Sequence, residues 1–248
     1  MQWTDEAIVI GTRRHGESSL IVELMTLAHG RHLGLVRGGR SRRLRPVLQA
    51  GNSVLATWRA RLDEHLGTLT IEPAVDRAAA VMASAGAIYG IQALAAMARL
   101  LPEREAHPRL YDHVIAILEA FTDPLLAAAL MARFEVRLLE DLGFGLDLES
   151  CAVTGSNDDL AYVSPKTGRA VTRSAGEPYH ERLLALPPFL LGDAGVPSPS
   201  GEDVAVAFRL TGYFLARHVL DPRGAEMPEA RTAFLAWFGR EHATSAAA

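Results

Sequence analysis

The chain has 248 residues, enough for one large or two ordinary domains, and 49% of them are apolar, which excludes disorder as its main state. A single cysteine, Cys151, excludes an intramolecular disulfide, and no apolar run approaches the length that spans a bilayer. The net charge of -4 argues on average against a polyanionic partner, but the first 80 residues hold eleven arginines against eight acids, so the excess of acid lies entirely in the remainder. The opening Met-Gln-Trp-Thr-Asp-Glu has neither a cationic head nor an apolar signal core, so the expectation is a cytoplasmic protein.

The first 75 residues read as a small antiparallel β unit. Glu6 to Thr12 alternates around Ile8 and Ile10, Arg13 to Ser18 is a polar turn, Leu20 to Leu24 is a second strand, and Ala28-His29-Gly30 closes a hairpin into a third from Arg31 to Arg37. Ser53 to Trp58 and Thr68 to Glu72 supply two more, the last stopped by Pro73. Five strands in this length fit a closed barrel of the OB type, because closure removes exposed edges.

Between the third and fourth strands lies the most unusual stretch of the chain. Arg31, Arg37, Arg40, Arg42, Arg43 and Arg45 fall within fifteen positions, interrupted by Gly38-Gly39, and no acid occurs between Glu23 and Asp63. A strand that feeds a glycine-broken cationic loop holds arginines where a polyanion can reach them, although a charged hairpin tip can also be simply solvated. Arg13 and Arg14 add charge from the first turn. For single-stranded nucleic acid a cationic groove needs flat side chains on which bases stack, and Trp58, followed by Arg59 and Arg61, is one expected platform, with Trp3 the other.

After Pro73 the pattern becomes helical. Ala74 to Leu101 repeats its apolar positions at three and four residues and ends at Pro102, with Gly86 and Gly90 suited to close helix packing. A second helix runs from Pro108 to before Asp123, and a third from Pro124 to Leu142, closed by Gly143 and carrying the stripe Leu130, Phe134, Leu138, Leu142. Residues 144–200 are rich in Gly, Ser, Asp and Pro, with strand-like pairs at Leu160 to Ser164 and Arg169 to Thr172 about a Pro165-Lys166-Thr167-Gly168 turn, and read as a small irregular insertion. Glu202 to Leu220 and Pro228 to Arg240 return to helix. The expectation is therefore an α+β chain, with a five-stranded OB-like barrel at 1–75 and a helical domain at 76–248 that carries the insertion.

Enzyme chemistry lacks its parts. The single lysine, Lys166, has no phosphate-cradling glycine loop before it, and Gly143-Phe144-Gly145 follows a helix rather than a strand and lacks a third glycine. His29-x-x-His32 has a metal-compatible spacing but no third ligand nearby, and the adjacent acids Asp63 and Glu64 have no supporting ligands. The reading is a binding protein with no catalytic residue. It leaves open a protein-interaction scaffold whose basic loop meets an acidic partner.

Glu6-Ala-Ile-Val-Ile followed by Gly16-Glu17-Ser18-Ser19, Leu24-Met-Thr26, Gly30 and Arg37-Gly38-Gly39-Arg40-Ser41 resembles the RecO family of recombinational DNA repair proteins. Phe134-Glu135, Leu138-Leu139 and Leu142-Gly143 are similar to that family's signature helix, and Cys151 falls at its first zinc-site cysteine. The resemblance implies an OB domain on a helical body, no turnover, and a bacterial, nucleoid-associated mediator. Such a mediator binds single- and double-stranded DNA, anneals complementary strands and, with RecR, helps RecA replace single-strand binding protein. It also implies that the helical body binds the acidic, apolar-ended tail of single-strand binding protein. Arg133 and Arg137, four apart beside Phe134, are where this chain would hold that tail. The chain departs from the family at the zinc site: Cys151-Ala-Val runs into Thr154, and the second cysteine pair would fall near Val171 and Ser174, so no metal or other cofactor is expected. The insertion is then a degenerate zinc-finger-like element, with Tyr162, Val163, Tyr179 and Leu183 to Phe189 as its expected core.

Overall fold

A computed structural model describes residues 1–192 and 198–245. Contacts gather the chain into two compact units, Met1–Pro124 and Leu125–Ala248.

In the first unit five strands, β1 (Gln2–His15), β2 (Ser19–Thr26), β3 (Gly30–Val36), β4 (Ser53–Arg59) and β5 (Thr68–Val75), close into a barrel in the order β1-β2-β3-β5-β4. β1 is long enough to pair with β2 through its second half and with β4 through its first. Closure comes from a short parallel bridge between Leu35 of β3 and Thr68 of β5. This is the OB-like topology that the alternation of apolar residues led us to expect. Pro73 does not stop β5; it sits opposite Val54 beside a bulge, a place where a missing N–H is tolerated.

Period-two alternation sends Val54, Ala56 and Trp58 of β4 inward to meet Ala7, Val9, Val22, Leu24, Val36, Leu69 and Ile71. Trp58 is fully buried, and its indole Nε1 donates to Leu66 O at 3.0 Å. Gly67 makes this possible: its φ is +65°, and a Cβ there would lie 2.4 Å from Trp58 Nε1.

A short helical turn, α1 (Leu44–Val47), lies between β3 and β4. The long helix expected from Ala74 is broken in two. The Asn52 Oδ1 acceptor takes the Arg77 and Ala78 N–H groups and starts α2 (Ala78–Met82); Ser84 is then extended and its hydroxyl accepts from Ala87 N, opening α3 (Ala85–Ala98). Gly90 packs as expected, since a Cβ there would sit 2.7 Å from the Phe121 ring. The proline-initiated α4 (Pro108–Glu119) completes the helices of the unit. Two arginines tie barrel to helix through one carboxylate: Glu23 accepts from Arg31 and from Arg99, each at 2.8 Å.

The second unit is built on α5 (Pro124–Asp141), which buries Ala128, Met131, Phe134, Glu135, Leu138 and Leu139, while Leu130 and Leu142 of the expected stripe are only half buried. The insertion forms a three-stranded sheet, β7-β6-β8, from β6 (Leu160–Val163), β7 (Ala170–Thr172) and β8 (Leu184–Ala185), with the turn α6 (Arg173–Gly176) after β7. Val163, Leu186 and Phe189 are buried there, but Tyr179 is 61% exposed and does not belong to the core. A Ser200–Asp203 capping box starts α7 (Gly201–Phe214), which runs into a wider π turn before Asp221-Pro222, and α8 (Glu229–Ser245) follows. No helix among the described residues is long and apolar enough to cross a membrane.

Candidate nucleic-acid interface

The arginine segment is an ordered turn rather than a loose strand. Gly38 adopts φ +64°, Ser41 N donates to Gly38 O at 2.9 Å, and Arg45 N donates to Ser41 O at 3.0 Å, leading directly into α1. Leu44 and Val47 pack on the barrel core, with Leu48 buried in it, so apolar side chains on one face of the turn hold the cations on the other. The β1–β2 turn is tied to it: Arg40 N donates to Ser18 O at 3.1 Å and the Arg40 guanidinium donates to Glu17 O.

Arg13, Arg14, Arg37, Arg40, Arg42, Arg43, Arg45 and Arg59 are all exposed, and none of them carries an ion pair among the described residues. Arg59 is at the end of β4, in register with Thr68 of β5. Thr68 and Thr70, which alternate outward between buried Leu69 and Ile71, add hydroxyls that no charge pattern marks, although the strand alternation places them outside.

Two expected members fall away and a third is partly covered. Arg31 is 14% exposed and spent on structure, pairing with Glu23 at 2.8 Å and Glu103 at 3.4 Å and donating to Leu101 O. Trp58 is inside the barrel and presents no face to a base. Trp3 is half buried, its ring stacked on His29 at 4.3 Å and on Trp58 at 5.8 Å. The two histidines that suggested a metal belong to this aromatic cluster instead: His29 Nδ1 meets Asp5 Oδ2 at 2.9 Å, and His32 is buried with its ring edge on both tryptophans. Burial, followed by the nearby charges of Arg104 and His29, lowers the His32 pKa to about 4.

In the second unit Phe134 is core, 1% exposed, and cannot be a contact residue. Arg133 donates twice to Phe189 O, at 2.7 and 3.1 Å, with its guanidinium over the Phe189 ring, and Arg137 pairs with Glu140 one turn on. The zinc-site positions do not make a metal site. Thr154 and Ser174 are exposed, Val171 is buried, and Cys151 Sγ accepts from the N–H groups of Thr172 (3.3 Å), Val153 (3.4 Å) and Thr154 (3.5 Å). Burial pushes that thiol up, but the hydrogen bonds outweigh it and bring the pKa down to about 6. One sulfur does not fit a structural zinc, and no group of three or more metal-ligating side chains occurs among the described residues.

The family model for the N terminal of recombination protein O matches residues 1–75, and that for its C terminal matches residues 83–226. The chain is 58% identical over 248 residues to a DNA repair protein RecO of Afipia carboxidovorans, with 100% of both chains covered. It is 60% identical over 237 residues to one of Chelativorans sp., covering 95% of each, and 56% identical over 240 residues to one of Brucella abortus, covering 97% of each.

Proposed function

The chain belongs to the RecO family of DNA repair proteins, and from that premise we propose that it is a non-enzymatic mediator of recombination in the bacterial cytoplasm. On this reading it binds single- and double-stranded DNA through the phosphate backbone, anneals complementary strands and, together with RecR, assists RecA loading on DNA covered by single-strand binding protein. The observation that carries the reading is the row of exposed arginines, Arg37 to Arg45 with Arg13 and Arg14, fixed on an OB-like barrel and free of ion pairs among the described residues. Guanidinium forks match phosphate oxygens in pairs, and such contacts carry no base information. With Trp58 inside the barrel and Trp3 half buried against His29, the affinity on this reading rests mainly on charge.

Titration of the protein with a labelled mixed-sequence oligonucleotide at low and high salt tests this. Salt-sensitive uptake is expected; no uptake at low salt would leave the scaffold reading, in which the arginines meet an acidic protein surface.

For the tail of single-strand binding protein the reading retains Arg137, with Arg133 as its supporting neighbour and Phe134 removed. Arg133→Ala would strip the Phe189 carbonyl of its donors, so Arg137→Ala is the cleaner change. Weaker binding of the tail peptide by Arg137→Ala, with the fold intact, is the expected result; unchanged affinity would place that site elsewhere.

A further inference from the structure

Five of the exposed arginines are divided between two grooves. Arg14, Arg40 and Arg45 line a cavity of about 400 Å³ with Thr12, Gly39 and Gln49, beside β1 and β2. Arg37 and Arg43 line another of about 350 Å³ with Thr68 and Thr70, beside β3 and β5. The two have no lining residue in common, and neither is lined by an acid. The partition between them is the segment around α1, which gives Arg45 and Leu48 to the first groove and Arg43 and Leu44 to the second. Its apolar side chains are seated in the barrel core, so it is a fixed wall. Gly39 forms part of the floor of the first groove, where a Cβ would already press on Leu20 at 3.1 Å.

We propose that the grooves are two separate strand sites, so that one molecule holds two single strands, one on each side of α1. This rests on the reading that the arginine segment binds DNA, and it adds how two strands are brought together. A helix with its side chains is about 10 Å across, which is close to the screening length of about 8 Å at physiological salt. Arginines on either face of such a wall therefore act on both backbones at once and offset the repulsion that keeps complementary strands apart. A single continuous groove could hold one strand tightly without doing this.

The test compares two variants of the full chain, Arg14→Gln/Arg40→Gln/Arg45→Gln and Arg37→Gln/Arg43→Gln, each checked by circular dichroism and against Arg→Lys counterparts that keep the charge. The number of short labelled oligonucleotides bound per chain and the rate of annealing of a complementary pair are both measured. Two strands per chain are expected for the unchanged protein. In each Gln variant one strand should remain, while affinity for the other falls roughly tenfold to a hundredfold through the loss of two or three phosphate contacts at 0.1 M salt. Annealing should collapse in both, and the Lys counterparts should recover it. One strand per chain in the unchanged protein, with binding and annealing falling in proportion in both variants, would overturn the proposal and leave a single groove. No change of either reading in either variant would overturn it too, and with it the placement of DNA on the arginine segment.

Discussion

Glu135 and Arg231 form a buried, two-pronged ion pair 96 residues apart in sequence, with Arg231 Nε donating to Glu135 Oε1 at 2.7 Å and Nη2 to Oε2 at 2.9 Å. Thr211 Oγ1 donates to the same carboxylate, and Arg231 also reaches Phe208 O at 2.9 Å, so α5, α7 and α8 are joined at one point. Burial alone would favour the neutral guanidine, but the carboxylate beside it outweighs this and raises the Arg231 pKa. Arg231→Met strands Glu135 in an apolar surrounding and is expected to cost the second unit about 3–5 kcal/mol. Adding Glu135→Leu should recover most of that, because a well-packed apolar pair replaces the ion pair at little net cost. Urea midpoints of the single and double variants check it; a double variant no more stable than the single one would mean that packing around the pair dominates.

The insertion is expected to stand without metal. Its Cys151 sulfur is satisfied by three backbone N–H groups, those of Val153, Thr154 and Thr172. Cys151→Ala leaves the buried Thr172 N–H, and the half-buried N–H groups of Val153 and Thr154, without their acceptor and should destabilise by about 1–3 kcal/mol, with Cys151→Ser less harmful. A chelator should leave the melting temperature of the unchanged protein where it was, and elemental analysis should find no stoichiometric zinc. One tightly bound zinc per chain in protein purified without added metal would sink this account.

His32 makes the first unit sensitive to acid. Both of its ring nitrogens are buried, and burial lowers its pKa from 6.5 to about 4. The unfolded chain binds a proton near pH 6.5 that the folded chain refuses until about pH 4. Stability from neutral His32 is therefore present above pH 6.5 and is lost as the pH falls toward 4, by about 3 kcal/mol in all. His32→Phe should lose less stability between pH 7 and pH 4.5 than the unchanged protein. Equal losses, read from urea midpoints at the two pH values, would remove His32 as the source.

What the sequence made legible follows the range of the interactions concerned. Strands and the barrel could be read because alternation is local: Val54, Ala56 and Trp58 sit two apart, as do Leu69 and Ile71. That alternation also carries the signal for the buried tryptophan, since an outward Arg59 sends Trp58 inward, whereas a tryptophan next to arginines has the composition of a stacking platform. Arg31 could not be distinguished from Arg37 by composition. Its partners Glu23 and Glu103 come from β2 and from the residues before α4, and only the first is within reach of hairpin register. The division of the arginines between two grooves depends on how α1 seats Leu44 and Leu48 in the barrel, a tertiary fact with no local pattern.

The arginine segment itself gives the sharpest expectation. If about six arginines, shared between the strands of the two grooves, each neutralise one phosphate, the log-log slopes of the two affinities against salt sum to about -4, a combined loss on the order of a few hundredfold between 50 and 200 mM. Arg40→Ala, Arg42→Ala and Arg43→Ala together remove one cation from each groove and the exposed Arg42 that lines neither. The summed slope should become shallower by about 2, and all sequences should weaken nearly alike, because phosphate contacts carry no base information. The fold should survive, since the turn is anchored by Leu44, Val47 and Leu48 and none of the three guanidinium groups is in an ion pair among the described residues. Annealing should fall further than affinity, because it needs charge on both sides of α1 at once. A folded triple variant with the original slope and affinity would show that the strand lies on another surface, and the segment would then be a solvated tip of the barrel.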